Sequence, residues 1–424
     1  MTLARQLVGR AMLVGIAAAA PALAQGNPNP MDSISKLPGY RPAHDTVPLI
    51  TPARIAKYAA PQQREWNDYL GRSRAQYAKD TSAMHRELRA AGLPAMTRGP
   101  YAHDFSVKPS MTRAWFATDS AQRMARAILS FQAPNGGWSK HVDFTLHERA
   151  PGESYFAESA EWEWISTIDN ESTTEEIHFL ARADSAVRDA RYETAIGRAI
   201  DYLLDAQFPN GCFPQVYPLE GSYHDAATFN DNASINALRV LDEVATGKYA
   251  LATPRQIARS RSAVDAGIRC IVAAQIRVDG RLTGWGQQHD PLTLEPTSAR
   301  SYELTSIAAL ETSFILDFLM SRSGPNDSTV RAVYAAVDWL RPLAMSGYSY
   351  VDYKLMRRED AAPLWGRLYE IGTNRVIMAN RDGVKLYDWD KLTDRRSGYG
   401  WYTTKPAETL TAFASWSKAH PRKP

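Results

Sequence analysis

Three amphipathic stretches of the chain end in the same short pattern, and this repetition constrains the fold more than any other feature. The stretches read "LSFQAPNGGW", "LLDAQFPNGCF" and "VAAQIRVDGRLTGW", and each runs from a glutamine through a glycine turn to an aromatic residue. The glutamines are Gln132, Gln207 and Gln275, so the pattern returns after 75 and then 68 residues. A spacing of about 70 residues accommodates two helices and the two loops that join them.

Apolar residues recur with the 3.6-residue period of a helix along most of the chain, and strand-like alternation is scarce. Helical hairpins that repeat in this way stack side by side and bury a common core. If the hairpins close into a ring, one end of the ring presents all the equivalent turns together. We therefore predict a mainly α-helical fold, an α/α toroid with a groove across one end. The glycine would make the turn that leaves each helix, and the aromatic residue after it would face the shared cavity.

The first 24 residues have the layout of a secretory signal peptide. Arg5 and Arg10 precede an apolar stretch too short to span a bilayer, and the small residues at 22–24 form a cleavage site. We therefore expect a secreted or periplasmic protein in which residues 25–110 form a leader and helical segment and residues 111–424 form the toroid. No later segment is apolar enough to cross a membrane. The formal net charge of +3 says little about partners, and we expect a monomer that binds neither nucleic acid nor membrane.

The aromatic and cysteine contents leave two questions open. The chain has 11 Trp and 20 Tyr, whose flat apolar faces suit packing against sugar rings, although packing in the core is the commoner use. Cys212 and Cys270 could pair in an oxidising compartment. A separation of 58 residues does not bring them together by itself, and the sequence alone slightly favours two free thiols. No spacing of Cys or His typical of a metal site occurs.

Polar loops lead into two of the predicted helices. Asp169 and Asn170 precede a capping-box pattern in "TIDNESTTEE", and Asp231 precedes the next such helix in "FNDNAS". Asp and Asn are ordinary helix caps, so each loop taken alone indicates only a helix start. Together they place clustered side-chain oxygens on neighbouring hairpins. Such a set suits a hard cation such as Ca²⁺.

Two later loops, residues 282–306 and 364–389, concentrate arginines among glycines and aromatic residues. They contain Arg300, Arg367, Arg375 and Arg381. The planar guanidinium group binds carboxylates through two parallel hydrogen bonds. Oxygens for a cation, combined with arginines for anions, predict a substrate polymer that carries carboxylates.

Several segments of the chain resemble the family 10 polysaccharide lyases, which are pectate lyases. They include "TIDNESTTEEIHFLAR", "HDAATFND", "EPTSARSYEL" and "YEIGTNRVIMANRDG", and the resemblance runs from about Met111 to Tyr402. It implies an (α/α)₃ toroid, a Ca²⁺ cofactor and a polygalacturonate substrate. It also implies cleavage by β-elimination to 4,5-unsaturated oligogalacturonides, with an arginine as the base.

The same resemblance implies roles for individual residues. Arg381, in "NRDG", matches the base, and Arg375 is the alternative. Arg300 matches the arginine that binds the substrate carboxylate. Asp231 matches a calcium ligand, and Asp169 matches a second acidic residue near the cation and the substrate.

Five residues are expected in the substrate subsites: Lys140, Asn170, Trp138, Trp285 and Arg375. The chain also departs from the family pattern. Glu171 stands where glycine is expected, and Asn232 stands where aspartate is common. Without an acidic residue at position 232 the cation would be less fully neutralised, which could weaken calcium binding.

Two other functions remain open at this stage. An inverting glycoside hydrolase also uses α/α toroids, and Asp169 and Asp231 could supply its two carboxyl groups. A non-catalytic polyuronate-binding protein would keep the groove and lack the base. An unsaturated product distinguishes the lyase from both alternatives.

Overall fold

The computed structural model describes residues 47–103, 105–108, 110–157 and 166–422, and its architecture is mainly helical, as the periodicity predicts. The predicted signal peptide, residues 1–24, lies outside the described residues. The helices are α1 Pro52–Ile55, α2 Ala60–Ala91, α3 Arg113–Phe116, α4 Asp119–Ser130, α5 Thr174–Val187, α6 Ala190–Ala206, α7 Ala233–Ala245, α8 Pro254–Ala274, α9 Ala309–Ser321, α10 Asp327–Leu340 and α11 Lys405–Ala419.

Short strands join the loops between these helices, and the described pairs are antiparallel. Most span only two residues, so they connect pairs of loops through a few backbone hydrogen bonds and do not form an extended sheet. They are β1 Ser166–Thr167, β2 Val216–Tyr217, β3 Ala227–Thr228, β4 Arg277–Val278, β5 Arg281–Leu282, β6 Gln288–His289, β7 Pro296–Thr297, β8 Ile307–Ala308, β9 Tyr348–Val351, β10 Lys354–Arg357, β11 Trp365–Gly366, β12 Leu368–Tyr369, β13 Met378–Ala379, β14 Lys385–Leu386 and β15 Tyr402–Thr403.

The helices from α4 onward form two layers of a ring. Helices α4, α6, α8 and α10 pack in succession in one layer, and α5, α7, α9 and α11 pack in succession in the other. Their apolar faces share one core cluster. Side-chain caps define several of the starts: Thr253 and Gln256 form a full capping box at α8, and Thr118 caps α4. This is the (α/α)₃ toroid.

The repeated glutamine has a definite structural role. Gln132 donates from Nε2 to the carbonyl of Gly136 in its own turn, at 2.7 Å, and to the carbonyl of Ala195 in α6, at 2.8 Å. The first bond satisfies a carbonyl of the turn, and the second adds a donor to a carbonyl inside helix α6. The glutamine therefore closes the turn and ties its helix to the next one in the same layer. The other two repeats make the same pair of bonds, from Gln207 to Gly211 and Ala263 and from Gln275 to Thr283 and Ala332.

The aromatic residue after each turn does not face the cavity, so that prediction is wrong. Trp138 and Trp285 are fully buried, and each indole N–H donates at 2.7 Å to the last turns of the preceding helix, at Ile128 and Ile271 respectively. Trp365 repeats the bond after α10. The glycine turn folds the chain back over the helix end, so the indole N–H binds a carbonyl in the last turns of the helix. Trp138 and Trp285 are therefore core residues and cannot line a substrate subsite.

Cys212 and Cys270 form a disulfide, with their Cα atoms 5.4 Å apart, so the slight preference for free thiols is corrected. The bond joins the turn after α6 to helix α8. The reason lies in tertiary packing, since a Cβ added to the neighbouring Gly211 would sit 2.2 Å from the carbonyl oxygen of Ala266 in the same helix. Sequence spacing carries no information about that contact.

The 32-residue helix α2 packs against the toroid and is not a free leader. Its Trp66 and Tyr69 contact the ring of Phe208, and the Tyr69 hydroxyl donates to the carbonyl of Ala206 at 3.0 Å. At its other end Glu87 pairs with Arg149 at 2.7 Å. Within the described residues, no helix combines the length and the apolar character needed to cross a membrane.

Candidate active site

Three small strand ladders bring the polar loops to one end of the ring. The strand before each of α5, α7 and α9 pairs with a strand that follows a turn of the other layer: β1 with β2, β3 with β6, and β8 with β12. At the equivalent position of each ladder, the carbonyl of Gln215, Gln287 or Arg367 accepts an N–H from the opposite loop. The loops that contain Asp169 and Asp231 therefore lie side by side, in direct contact.

These two loops have the same backbone conformation, but the order of their acidic and amide side chains is reversed. Asn170 and Asp231 occupy matching left-handed positions, with φ values of 48° and 47°. Asp169 and Asn230 precede them, and the N–H of each donates to a threonine hydroxyl two residues earlier, at 3.0 and 3.3 Å. One loop therefore carries acid then amide, and the next carries amide then acid. Left-handed positions are unfavourable for residues other than glycine and occur mainly where the surrounding structure enforces them, often at functional sites.

The structure brings together Lys140, Asp169 and Asn170, three of the residues named from the sequence. The Lys140 ammonium lies 2.6 Å from the Asp169 carboxylate and 3.4 Å from the Asn170 side-chain oxygen. Burial would raise the pKa of Asp169, but the Lys140 ammonium and the Arg300 guanidinium lower this pKa to about 2. Asp169 is therefore a carboxylate at any pH at which a uronate polymer is ionised.

Asp231 is held by a buried arginine. Arg367 donates from Nη2 to one carboxylate oxygen of Asp231 at 2.9 Å, and the Asn230 amide donates to the other at 2.7 Å. The same guanidinium pairs with the fully buried Glu311 at 2.6 Å. The Asp231 side chain is nevertheless 32% exposed, so its carboxylate faces the groove. In the sequence Arg367 is one of several loop arginines, and nothing there assigns it this role.

Arg300 reaches the groove while paired with a buried acid. Its Nε and Nη2 donate to the two oxygens of Glu303 at 2.8 and 2.6 Å, and its side chain is 42% exposed. Burial opposes the charge of Arg300, but Glu303 outweighs it and raises the pKa of Arg300 well above its ordinary value. The resting pair is therefore ionic. Tyr302 and Tyr223 lie close enough to influence the same guanidinium.

Arg381 belongs to the wall of the site and is only 4% exposed. Its Nη1 donates to the carbonyl of Asp394 at 3.0 Å, and its own carbonyl accepts from the Ser301 hydroxyl at 2.7 Å. It thus braces the loop that carries Arg300. Arg375 is exposed on the turn between β12 and β13, with its guanidinium 3.6 Å from the ring centroid of Tyr387. This stacking directs Arg375 toward β14 and its flanking turn, whereas Arg300 and Arg381 meet at Ser301.

Arg395 completes the arginine cluster and lies beyond the two arginine-rich loops of the sequence. It is 5% exposed, its Nη2 donates to the carbonyl of Gly398 at 2.8 Å, and its guanidinium lies 4.1 Å from the ring centroid of Tyr302. The segment "DRRSGYGW" is typical of a turn, in which both arginines are expected to face solvent. Only the fold shows that one of the two points inward.

The acidic residues do not form a complete calcium site by themselves. In the part of the chain that the structure describes, no three His, Cys, Asp or Glu side chains are grouped to hold a metal ion. Calcium takes six to eight oxygen ligands, several of which must then come from elsewhere. Asp231, with its exposed carboxylate, and Asn170, with its amide oxygen, offer donors on adjacent loops. These residues fit a cation that is shared with a carboxylate-bearing substrate.

Comparison with known proteins agrees with this site. The pectic acid lyase family matches residues 132–410. The fold is similar to a family 10 polysaccharide lyase from Cellvibrio cellulosa, which is 30% identical with a TM-score of 0.63 over 74% of this chain and 98% of that one. A mutant of such a lyase from the same organism, in complex with trigalacturonic acid, is 32% identical with a TM-score of 0.64 over 72% and 95% of the two chains. Curated proteins give no match.

Proposed function

Because the chain belongs to the pectic acid lyase family and is a pectate lyase, we propose that it cleaves polygalacturonate by calcium-assisted β-elimination with an arginine as the base. One observation carries the proposal. One end of the ring gathers three ion pairs: Lys140 with Asp169, Arg300 with Glu303, and Arg367 with Asp231. The side chains of Arg300 and Asp231 are 42% and 32% exposed, so one can bind a uronate carboxylate and the other a cation that is shared with it. The trigalacturonic acid bound to the similar lyase supports the same substrate for this chain.

The reaction needs a base on one carbon and charge stabilisation beside it. The proton on C5, next to the uronate carboxylate, is removed, the C4–O bond breaks, and a C4–C5 double bond forms. The glycosidic oxygen leaves with a proton from solvent. Negative charge that develops on the carboxylate is stabilised by cations fixed in advance, since preorganised charge costs no rearrangement during the reaction. We assign that role to Lys140, whose ammonium is held by Asp169.

We assign the base to Arg300 and not to Arg381. A base must come within hydrogen-bond reach of the proton that it abstracts, and Arg300 is the arginine whose side chain extends into the groove. Arg381 is closed off by Asp394 and supports the Arg300 loop through Ser301. An arginine acts as a base only in its neutral form, so the reactive state of Arg300 has lost a proton that Glu303 helps to retain.

Asp231 is the residue that would hold Ca²⁺ in this proposal. The ion, when bound, would draw electron density from the substrate carboxylate and so make the C5 proton more acidic. Asp231 keeps an exposed carboxylate for this purpose because Arg367 and Asn230 fix its orientation from behind. Asn170 offers the matching oxygen on the neighbouring loop.

The test of function is incubation with polygalacturonate, with and without a calcium chelator, followed by ultraviolet absorbance and mass analysis of the products. We expect unsaturated oligogalacturonides, which absorb in the ultraviolet, and loss of turnover in excess chelator. Saturated products would indicate an inverting hydrolase built on Asp169 and Asp231. Binding without turnover would indicate a polyuronate-binding protein, and full activity in chelator would contradict the calcium requirement.

The assignment of the base is tested with two arginine variants. Arg300→Ala should lower kcat by at least about 100-fold, the low end for loss of a general base, with a smaller change in KM. Arg381→Met should lower activity less, because it loosens the support of Arg300 without removing it. Steady-state kinetics on polygalacturonate measures both. If Arg300→Ala keeps more than a tenth of the wild-type kcat while Arg381→Met is inactive, the base is Arg381.

A further inference from the structure

Arg395 stands apart from the other site arginines because, among the described residues, no carboxylate forms an ion pair with it, although Glu303 lies near enough to favour its charge. Arg300, Arg367 and Arg381 each have an acid partner within 4.0 Å, at Glu303, Glu311 and Asp394. Among the described residues, no ion pair within that distance is found for Arg395, and its buried Nε has no hydrogen-bond partner. A buried and unpaired cation is unfavourable, so its retention needs a reason.

The position of Arg395 relative to Arg300 gives that reason. Both guanidinium groups lie over the ring of Tyr302, with Cζ 4.1 Å from the ring centroid for Arg395 and 5.0 Å for Arg300. Tyr302 in turn packs edge-on against Tyr399 at 5.3 Å between centroids. Two like charges therefore share one aromatic ring, and the charge on Arg395 is buried.

The charges around Arg300 oppose one another. Glu303 and Asp169 favour its protonated form, and Arg395 disfavours it; Tyr223, Tyr302 and Tyr399 also face it. Burial lowers the pKa of the Arg395 guanidinium, and the like charges of Arg300 and Arg381 lower it further. The repulsion is mutual, so Arg395 makes the proton of Arg300 easier to remove.

We propose that Arg395 is a positioning residue for the reaction: its buried charge, which lies over the ring of Tyr302 and has no ion-pair partner among the described residues, offsets the pull of Glu303 and keeps Arg300 able to act as the base. The proposal rests on the assignment of Arg300 as base. Glu303 then fixes where the guanidinium points, and Arg395 limits how firmly that pair holds the proton. Removing Arg395 should leave Arg300 in place and harder to deprotonate.

The test compares Arg395→Met, Arg395→Lys and Arg396→Met across an alkaline pH series, with kcat and KM measured on polygalacturonate. Arg396 is the matched control, because it is adjacent in the chain but 43% exposed over Trp389, outside the arginine cluster. In Arg395→Met the acid limb of the kcat profile should move to higher pH. At a pH below the limb, the kcat of the variant should be about tenfold lower than that of the wild type for each pH unit by which the limb has moved. Above the limb, the two kcat values should converge. Arg395→Lys should stay near the wild-type limb, and Arg396→Met should match the wild type.

Two results would overturn the proposal. One is a loss of kcat in Arg395→Met that remains on the plateau above the acid limb of the profile, which would mean that Arg395 only packs Tyr302. The other is a lysine variant that moves the limb as far as methionine does. If Arg395→Met does not fold, as judged by its melting temperature, Arg395→Gln replaces it and the same comparison with lysine decides. Arg300→Ala, measured in parallel, separates a wrong role for Arg395 from a wrong base. An active Arg300→Ala would contradict the base assignment. An inactive Arg300→Ala, combined with an unmoved limb in Arg395→Met, would contradict only the role of Arg395.

Discussion

Two adjacent glutamates at the start of α5 have opposite environments. Glu176 is 2% exposed and its Oε2 has no hydrogen-bond partner, and burial raises the pKa of its carboxyl to about 8. For Glu175, burial also works against the charge, but hydrogen bonds from His178 and from the Val107 N–H lower its pKa. Glu176 is thus buried as the neutral acid, whereas the partly buried Glu175 is a carboxylate.

This difference predicts a pH-dependent stability that one substitution removes. The folded pKa of Glu176 lies above the unfolded value of 4.5, so its contribution is fully present below pH 4.5 and is lost as the pH rises to about 8. The loss is about 1.4 kcal/mol per pH unit within that window. Glu176→Gln should remove the loss, so the variant should be increasingly more stable than the wild type from pH 5 to pH 8. Urea denaturation at several pH values measures it.

Glu175→Gln is the control for that experiment and should behave in the opposite way. Its folded pKa is depressed, so its stabilising contribution is present above the unfolded pKa and is lost as the pH falls through the folded pKa. The glutamine variant should therefore be less stable than the wild type at neutral pH. Equal pH profiles for the wild type and Glu176→Gln would show that Glu176 is ionised in the folded protein.

At the level of residues, the sequence indicates which loops carry polar groups, because a loop and its side chains are contiguous in the chain. Lys140, Asp169 and Asn170 lie on two such loops, and the fold brings these loops to the same end of one hairpin. The prediction for Trp138 fails because an aromatic residue after a turn looks the same whether it faces solvent or caps a helix. Arg395 escapes prediction because its environment is created by Tyr302, 93 residues away.

At the scale of elements, the turn after α6 shows why glycine is required. Gly211 has φ +92°, and a Cβ there would lie 2.2 Å from the carbonyl oxygen of Ala266. Gly221 has a similar φ of +87° but nothing within 4 Å. The first glycine therefore serves close packing as well as conformation, and the second serves conformation alone.

The two glycines make a matched pair for mutagenesis. Gly221→Ala should show only the cost of the left-handed backbone, about 1 kcal/mol. Gly211→Ala should cost about 1–3 kcal/mol more, because α8 must move away from the turn. Chemical denaturation of both variants gives the comparison. Equal losses would mean that the turn and α8 separate easily, against the close contact described here.

Helices could be predicted from the sequence and strands could not, for a physical reason. A helix of 12 to 21 residues carries several repeats of its apolar period, as in α4 and α8. A two-residue strand such as β1 carries no period and exists only because β2 lies opposite. The ladders that align the site loops are therefore a product of the assembled ring.

At the scale of the whole molecule, the disulfide is the covalent link between two successive repeats. Cys212 and Cys270 close a segment of 58 residues that contains helices α7 and most of α8. A cross-link of this length restricts the unfolded chain and stabilises the fold by about 4 kcal/mol in the chain-entropy description. Export to an oxidising compartment would allow it to form.

The doubly substituted Cys212→Ser, Cys270→Ser protein should therefore unfold at a lower denaturant concentration than the wild type, by an amount equivalent to about 2–4 kcal/mol. Guanidinium denaturation followed by tryptophan fluorescence measures the difference. Adding a reductant should bring the wild type toward the variant and leave the variant unchanged. A wild type that is as sensitive as the variant without reductant would show that the thiols do not pair in solution.

The ring itself was predictable because its repeats are visible in the chain, whereas the docking of α2 was not. The amphipathic pattern of residues 60–91 indicates a helix. Its partners, Phe208 and the carbonyl of Ala206, belong to a turn more than a hundred positions away. A helix face with ordinary polarity does not reveal which turn it covers.

The exchange of acid and amide between the two neighbouring loops has a consequence for how a polymer enters. If the two loops had the same backbone and the same side chains, they would make the same contacts with a polymer bound in either direction. Here the left-handed position carries the amide of Asn170 in one loop and the carboxylate of Asp231 in the other. Reversing the chain would bring a uronate against the wrong partner in both. The groove therefore has a direction, and we expect every substrate to bind with its reducing end at the same end of the groove.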